Sequence, residues 1–124
     1  MTGEDEELVS ATIFEVMNAE FPNQTQLKKI KALLVYNITK DAKLAATFTM
    51  DLRQFPGKIY KGLPEDKARP NATINIEDEH FAALALGELD PVSGFMQGKI
   101  KAKGDILLLQ KLSGILKGAR QALL

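Results

Sequence analysis

The chain has 124 residues, 45% of them hydrophobic, and its sixteen basic and sixteen acidic side chains cancel. That length suits one domain, spanning 1–124, which buries about two-thirds of its unfolded surface and needs no covalent staple. With no cysteine there is no disulfide or thiolate metal site, one histidine (His80) leaves little for a zinc centre or histidine catalysis, and charge balance argues against nucleic-acid binding.

The N-terminus, MTGEDEELVSA, is acidic and has no signal-type apolar core, and no apolar run approaches the ~20 residues that span a bilayer. The Asn-x-Thr triplets at Asn23, Asn37 and Asn71 are therefore expected to stay unmodified. A first helix is expected from Glu4 to Asn18, with Val9, Ile13, Val16 and Met17 on one face and Glu4, Asp5, Glu6 and Glu7 favouring its dipole. Pro22 ends it. Thr25 then caps a short helix through Lys31, with Leu27 and Ile30 inward.

Leu33 to Thr39 reads as a strand. In Ala46 to Arg53, Ala46, Phe48, Met50 and Leu52 alternate with polar residues, the period of a strand with one buried face. Lys58 to Lys61 follows the Phe55-Pro56-Gly57 turn, and Gly62 to Pro70 is a loop. Ala72, Ile74 and Ile76 mark another one-sided strand. Asp78 is expected to cap a helix from Glu79 to Leu86, stopped by Gly87, and Asp90-Pro91 starts a helix that Gly98 ends. Lys99, Lys101 and Lys103 alternate with Ile100 and Ala102 in a last strand, Gly104 turns the chain, and Asp105 caps the final helix. Clean alternation implies one wet sheet face with all helices on the other, a two-layer α+β domain whose sheet is mostly antiparallel.

On a helical wheel, Leu108, Leu109, Leu112, Ile115, Leu116 and Ala119 form one broad stripe, with Ile106 and Leu107 beyond its edges. A helix resting on one sheet needs only about 100° of apolar surface. The excess is either core buried on several sides or the wall of a cavity. Phe81, Leu84, Phe95 and Met96 lie on two short helices bounded by Gly87, Pro91 and Gly98, which can open at low cost. They are ordinary core or the gate of an apolar space. The lysine row of the last strand is a protected edge or a docking face for an anionic membrane. There is no nucleophile elbow, phosphate-binding glycine loop or histidine–carboxylate array, so neither enzymatic activity nor a cofactor or metal is expected.

Gly87-Glu88-Leu89-Asp90-Pro91, Phe95-Met96-Gln97-Gly98-Lys99-Ile100-Lys101, Gly104-Asp105 and Leu112 resemble, in order and spacing, the C-terminal half of the sterol carrier protein-2 family, the nonspecific lipid-transfer proteins. The helix-helix-strand order and Thr49-Met50-Asp51-Leu52 upstream are compatible with it. The resemblance implies a five-stranded sheet covered by helices on one side. It further implies a hydrophobic tunnel between the two layers for fatty acids, fatty acyl-CoA, sterols or phospholipids, with no chemistry on the ligand. Carried over, Phe95, Met96, Leu108, Leu109, Leu112, Ile115 and Leu116 would be tunnel wall, Phe81 and Leu84 one side, and Phe48, Met50 and Ile76 the floor. Read from the residues themselves, Arg53, Gln97 or Gln110 could meet a headgroup or be solvated surface groups, and Lys99, Lys101 and Lys103 could meet a membrane. Many family members end in a peroxisomal Ser-Lys-Leu signal, whereas this chain ends Ala122-Leu123-Leu124, which leaves both a peroxisomal and a cytoplasmic home open. A monomeric stand-alone carrier is expected from Met1 and the full set of elements, the alternative being a lipid-sensing or interaction domain of a larger lipid-metabolism protein.

Overall fold

A computed structural model describes residues 8–123, with the side chains of residues 112, 117–119 and 121–123 outside the description. The expected acidic start, Glu4 to Glu7, also lies outside it. Helix α1 covers Val9–Glu20 and leads through 3-10 turns at Phe21–Asn23 and Thr25–Lys29 into β1 (Leu33–Lys40). Strands β2 (Lys43–Asp51), β3 (Lys58–Lys61) and β4 (Ala72–Glu77) follow. Helices α2 (Asp78–Leu86) and α3 (Pro91–Met96), strand β5 (Ile100–Gly104) and helix α4 (Leu108–Leu123) complete the described residues.

The sheet has five strands in the order β3-β2-β1-β4-β5. Only the β1–β4 pair is parallel. The expected α+β fold with a mostly antiparallel sheet is therefore what forms. Two turn residues in left-handed backbone, Asp41 and Ala42 (φ 54 and 67), close the β1–β2 hairpin between the paired Lys40 and Lys43. That geometry matches the twist of paired strands. It carries β2 back to Lys43, three residues before the alternation becomes readable.

Strand alternation turns Leu34, Tyr36 and Ile38 of β1, Ala46, Phe48 and Met50 of β2, and Ile74 and Ile76 of β4 to the helices, where they join one buried cluster. Helix α2 lies over β1 and β4, α1 beside β3, α3 beside β5, and α4 runs against α1, α2 and α3. The inward face of α1 is Ser10, Ile13, Phe14 and Met17. This differs from the expected face: Val9 is 52% exposed and Val16 only partly buried.

The far face of the sheet is wet only in part. Leu33 and Val35 are buried there although they stand outside the main cluster. The 62–70 loop folds back toward this face over β2 and β3: Thr49 Oγ1 donates to Gly62 O at 2.7 Å, and Tyr60 Oη accepts from Glu65 N at 3.0 Å. Beyond the loop, a polar row crosses three strands: Thr47 Oγ1 donates to Asn37 Oδ1 and Asn37 Nδ2 to Asn75 Oδ1.

Three caps depart from expectation. Thr25 does not cap: its segment is a 3-10 turn, Thr25–Lys29, preceded by Gln24 and without a side-chain cap. Asp78 does not cap α2, whose N-terminus has no side-chain cap. Its carboxylate instead accepts from Val9 N (2.9 Å) and Ser10 N (2.8 Å), capping α1 across 69 and 68 residues of chain. Asp105 Oδ1 accepts from Leu107 N, but a turn intervenes and α4 begins only at Leu108. Asp90 caps α3 as expected, accepting from Ser93 N at 3.0 Å. Gly87 closes α2 in left-handed backbone (φ 81). Among the described residues no helix is long and apolar enough to cross a membrane.

Candidate functional site

The layer between sheet and helices is where the apolar excess of α4 goes. Leu108, Leu109, Ile115 and Leu116 are all buried, as are Phe81 and Leu84 of α2 and Phe48, Met50 and Ile76 of the sheet, and all belong to one contiguous cluster. Phe95 packs half-buried against it. The side chain of Leu112 lies outside the described residues. Met96 does not share this placement: it is 80% exposed, on the solvent side of α3. A six-residue helix cannot bury both Phe95 and its neighbour, because adjacent helical side chains point about 100° apart.

Four rings fill the centre of the layer. Phe14 stacks obliquely on Phe48 and Phe81, each at 4.6 Å between centroids, and on Tyr36 at 5.2 Å, while Tyr36 meets Phe81 edge-on at 5.8 Å. Burial pushes the Tyr36 hydroxyl well above its usual range, so it is a neutral phenol, 3.9 Å from Met50 Sδ. A chain bound here would take the place of side chains that now touch one another. The buried polar groups Asp78, Ser10 and Thr49 sit at the α1 cap and under the 62–70 loop, away from the rings.

This layer reaches the surface where α2, α3 and α4 meet. A cleft of about 140 Å³ opens there, lined by Leu84, Leu89, Pro91 and Leu116 and by the polar Asp90, Ser113 and Arg120, with Gly87 at its edge. A second opening, about 280 Å³, lies between α1 and the β2–β3 pair with Phe14, Phe48 and Ile59 at its base and Glu15, Asn18, Tyr60 and Lys61 around it.

The expected headgroup contacts are not gathered at either cleft. Arg53 sits across the sheet, where its guanidinium pairs with Asp51 (2.7 Å) and Asp66 (3.0 Å) beside a polar hollow. The Arg53 hydrogen bond holds the Asp51 carboxyl below the usual carboxylate range. The Ala68 amide first, and Arg53 second, do the same for Asp66, while the two carboxylates push Arg53 further up. Gln97 and Gln110 are exposed. Lys101 and Lys103 are exposed on the far face of β5, and Lys99, expected in the strand, is exposed in the bend just before it; Lys99 and Lys101 line a cleft of about 310 Å³ with Thr39, Ala42, Glu77 and His80. Among the described residues no three His, Asp or Glu side chains converge as a metal site.

The model of the SCP-2 sterol transfer family matches residues 14–117. The chain belongs to the SCP-2 sterol transfer family. The mouse peroxisomal multifunctional enzyme type 2 is 38% identical over 113 residues, which are 90% of this chain but only 15% of that protein. The apo form of sterol carrier protein 2 from Yarrowia lipolytica superposes with a TM-score of 0.78 at 28% identity, covering 91% of this chain and 93% of the other. A palmitated SCP2L2 from Aedes aegypti gives a TM-score of 0.67 at 27% identity, covering 89% and 95%.

Phe14 and Tyr36 in the layer and Arg120 at the cleft lie outside the set expected from sequence. For Phe14 a signal existed: Ser10, Ile13, Phe14 and Met17 follow i, i+3, i+4, i+7 spacing, a better helical stripe than one starting at Val9. Tyr36 likewise shares the parity of Leu34 and Ile38 in β1. For Arg120 there was none, since its place depends on how α4 crosses the end of α2.

Proposed function

We propose that this chain is a lipid carrier, taking fatty acids, fatty acyl-CoA, sterols or phospholipids by their apolar part and passing them between membranes or enzymes. The observation that carries the reading is that one uninterrupted apolar layer, walled by α4, comes to the surface at Leu84 and Leu116 in a cleft with a polar rim. The lipid would lie between Leu108, Leu109, Leu112, Ile115 and Leu116 above and Phe48, Met50 and Ile76 below, with Phe81, Leu84 and Phe95 at its side. Membership of the SCP-2 family and the palmitated insect relative support that occupant.

The energetics suit loose selection. Each buried methylene contributes about 0.8 kcal/mol, so a dozen give on the order of 10 kcal/mol gross. Lost translation, rotation and ordering take back several kcal/mol. The surplus supports micromolar or tighter binding without a mandatory polar contact, so chain length matters more than head chemistry. The 140 Å³ cleft is smaller than the roughly 300 Å³ at which ligand pockets usually begin, so loading requires α4 to move off α2. Delivery would use a transient membrane contact through Lys99, Lys101 and Lys103. The protein would act as a monomer on the lipid's apolar part, changing no bond, in the peroxisome or the cytoplasm.

Lipid extracted from freshly purified protein and identified by mass spectrometry, together with uptake of a fluorescent fatty acid by delipidated protein, tests the proposal. Pure protein that takes up no fatty acid would instead favour a lipid-independent interaction domain of a larger protein, a reading suggested by the fraction of the mouse enzyme that this chain spans.

A further inference from the structure

We propose that Arg120 anchors the carboxylate of a bound fatty acid at the mouth of the cleft between α2, α3 and α4; the inference rests on the carrier reading. Ser113, Leu116 and Arg120 follow one another at i, i+3 and i+7, so a single face of α4 supplies two polar groups and one leucine to the cleft. The Arg120 guanidinium folds over the end of α2, so close to Gly87 that a methyl group there would stand 2.6 Å from Nη1. Its Nε is buried and has no hydrogen-bond partner among the described residues.

That last feature is the informative one. A positive group near the C-terminal end of a helix is favourable through the dipole, which accounts for the charge of Arg120 over α2. The dipole does not account for a buried guanidinium N–H without an acceptor, which native interiors rarely tolerate. The planar fork of a guanidinium matches a carboxylate with two parallel N–H···O bonds, one of them from Nε. Asp90 lines the same cleft, but its Oδ2 is engaged as the α3 cap by Ser93 N. A volume of about 140 Å³ holds roughly five water-sized groups, so a carboxylate and its first methylenes fit at the mouth of the cleft. Leu84 and Leu116 then point the tail under α4.

The test compares palmitate with hexadecanol, which has the same chain and no charge, by isothermal titration in mildly alkaline buffer. Wild type should prefer palmitate. Arg120→Gln should lower palmitate affinity by about tenfold, the loss of one charge-assisted bidentate contact, and leave hexadecanol within about twofold. Arg120→Lys, which keeps the charge without the fork, should fall between. Lys111→Gln, an equal charge change at an exposed site on α4, should move neither ligand by more than about twofold. Equal losses for both ligands in Arg120→Gln would make Arg120 a packing residue and overturn the anchor while leaving the carrier intact, as would a wild type without preference. A wild type that binds neither ligand overturns the carrier reading and the anchor with it.

Discussion

Leu84→Ala separates a wall that a lipid displaces from a wall that merely supports the fold. Leu84 is 3% exposed and belongs both to the buried layer and to the α2–α3–α4 cleft. The substitution removes three carbons, about 2.4 kcal/mol of transfer free energy at ~0.8 kcal/mol each. In a sealed core a cavity term of ~24 cal/mol per Å³ would add to this. Here one side already borders open space, so the extra term is small and the expected total is about 3 kcal/mol. For a domain of this size that lowers Tm by about 8–12 °C, measurable by calorimetry on delipidated protein. Ligand affinity should move the other way. Part of the space for an alkyl chain then exists before binding, and palmitate should bind about five- to thirtyfold more tightly, with a correspondingly larger ligand-induced rise in Tm. Affinity that falls in step with stability would refute the reasoning and make Leu84 a prop for a site elsewhere.

Asp78→Ala should destabilise by about 2–3 kcal/mol, because it leaves the amides of Val9 and Ser10 without acceptors. Hydrogen exchange should then accelerate first across Ser10 to Phe14. Arg53→Gln should raise the Asp51 titration midpoint seen by NMR. The Asp51 and Asp66 carboxyls are depressed in the fold, so their contribution is complete above the ordinary carboxylate range and is lost as pH falls through the lowered values. The variant should accordingly show a flatter acid limb in stability against pH. Replacing Lys99, Lys101 and Lys103 together by glutamine should slow transfer of a fluorescent fatty acid to anionic vesicles while leaving its binding in solution unchanged. An unaltered transfer rate would remove those lysines from the docking step.

Sequence was most informative where a single period decided the structure. Ala72, Ile74 and Ile76 alternate because one face of β4 meets the helices, and Asp90-Pro91 and Gly87 carry the local chemistry of a helix start and stop. It was least informative where one stretch of chain takes its role from a distant one. Asp78 stands in the right place to cap α2, yet its carboxylate turns to the free amides of α1, which burial beside α2 makes the costlier ones to leave unpaired. Leu33 and Val35 prove to be a buried second face of β1 only in the folded sheet, where the 62–70 loop returns to the same side at Thr49. For the candidate site the same division holds. The stripe of α4 was readable, whereas the exposure of Met96 and the course of Arg120 over Gly87 depend on how short helices seat against each other.

The closed layer sharpens the carrier reading. A tunnel permanently wide enough for an alkyl chain would, when empty, either hold water against leucine and phenylalanine or stay dry with its lining short of contacts, and both states are costly. Helix α4 packs its stripe on α1 and α2 here, and on the carrier reading the same stripe would pack on the lipid when loaded. Closure weakens binding by the fraction of molecules that are open: if closing is favoured by about 3 kcal/mol, the observed Kd is roughly 150-fold above the intrinsic one. Against ~10 kcal/mol of gross burial that penalty is bearable, and it favours release, since an emptied site buries its own surface at once. On this account affinity depends on how firmly α4 closes as well as on contact with the lipid, and substitutions of apolar α4–α2 contacts that leave Arg120 in place should shift every lipid's affinity by the same factor.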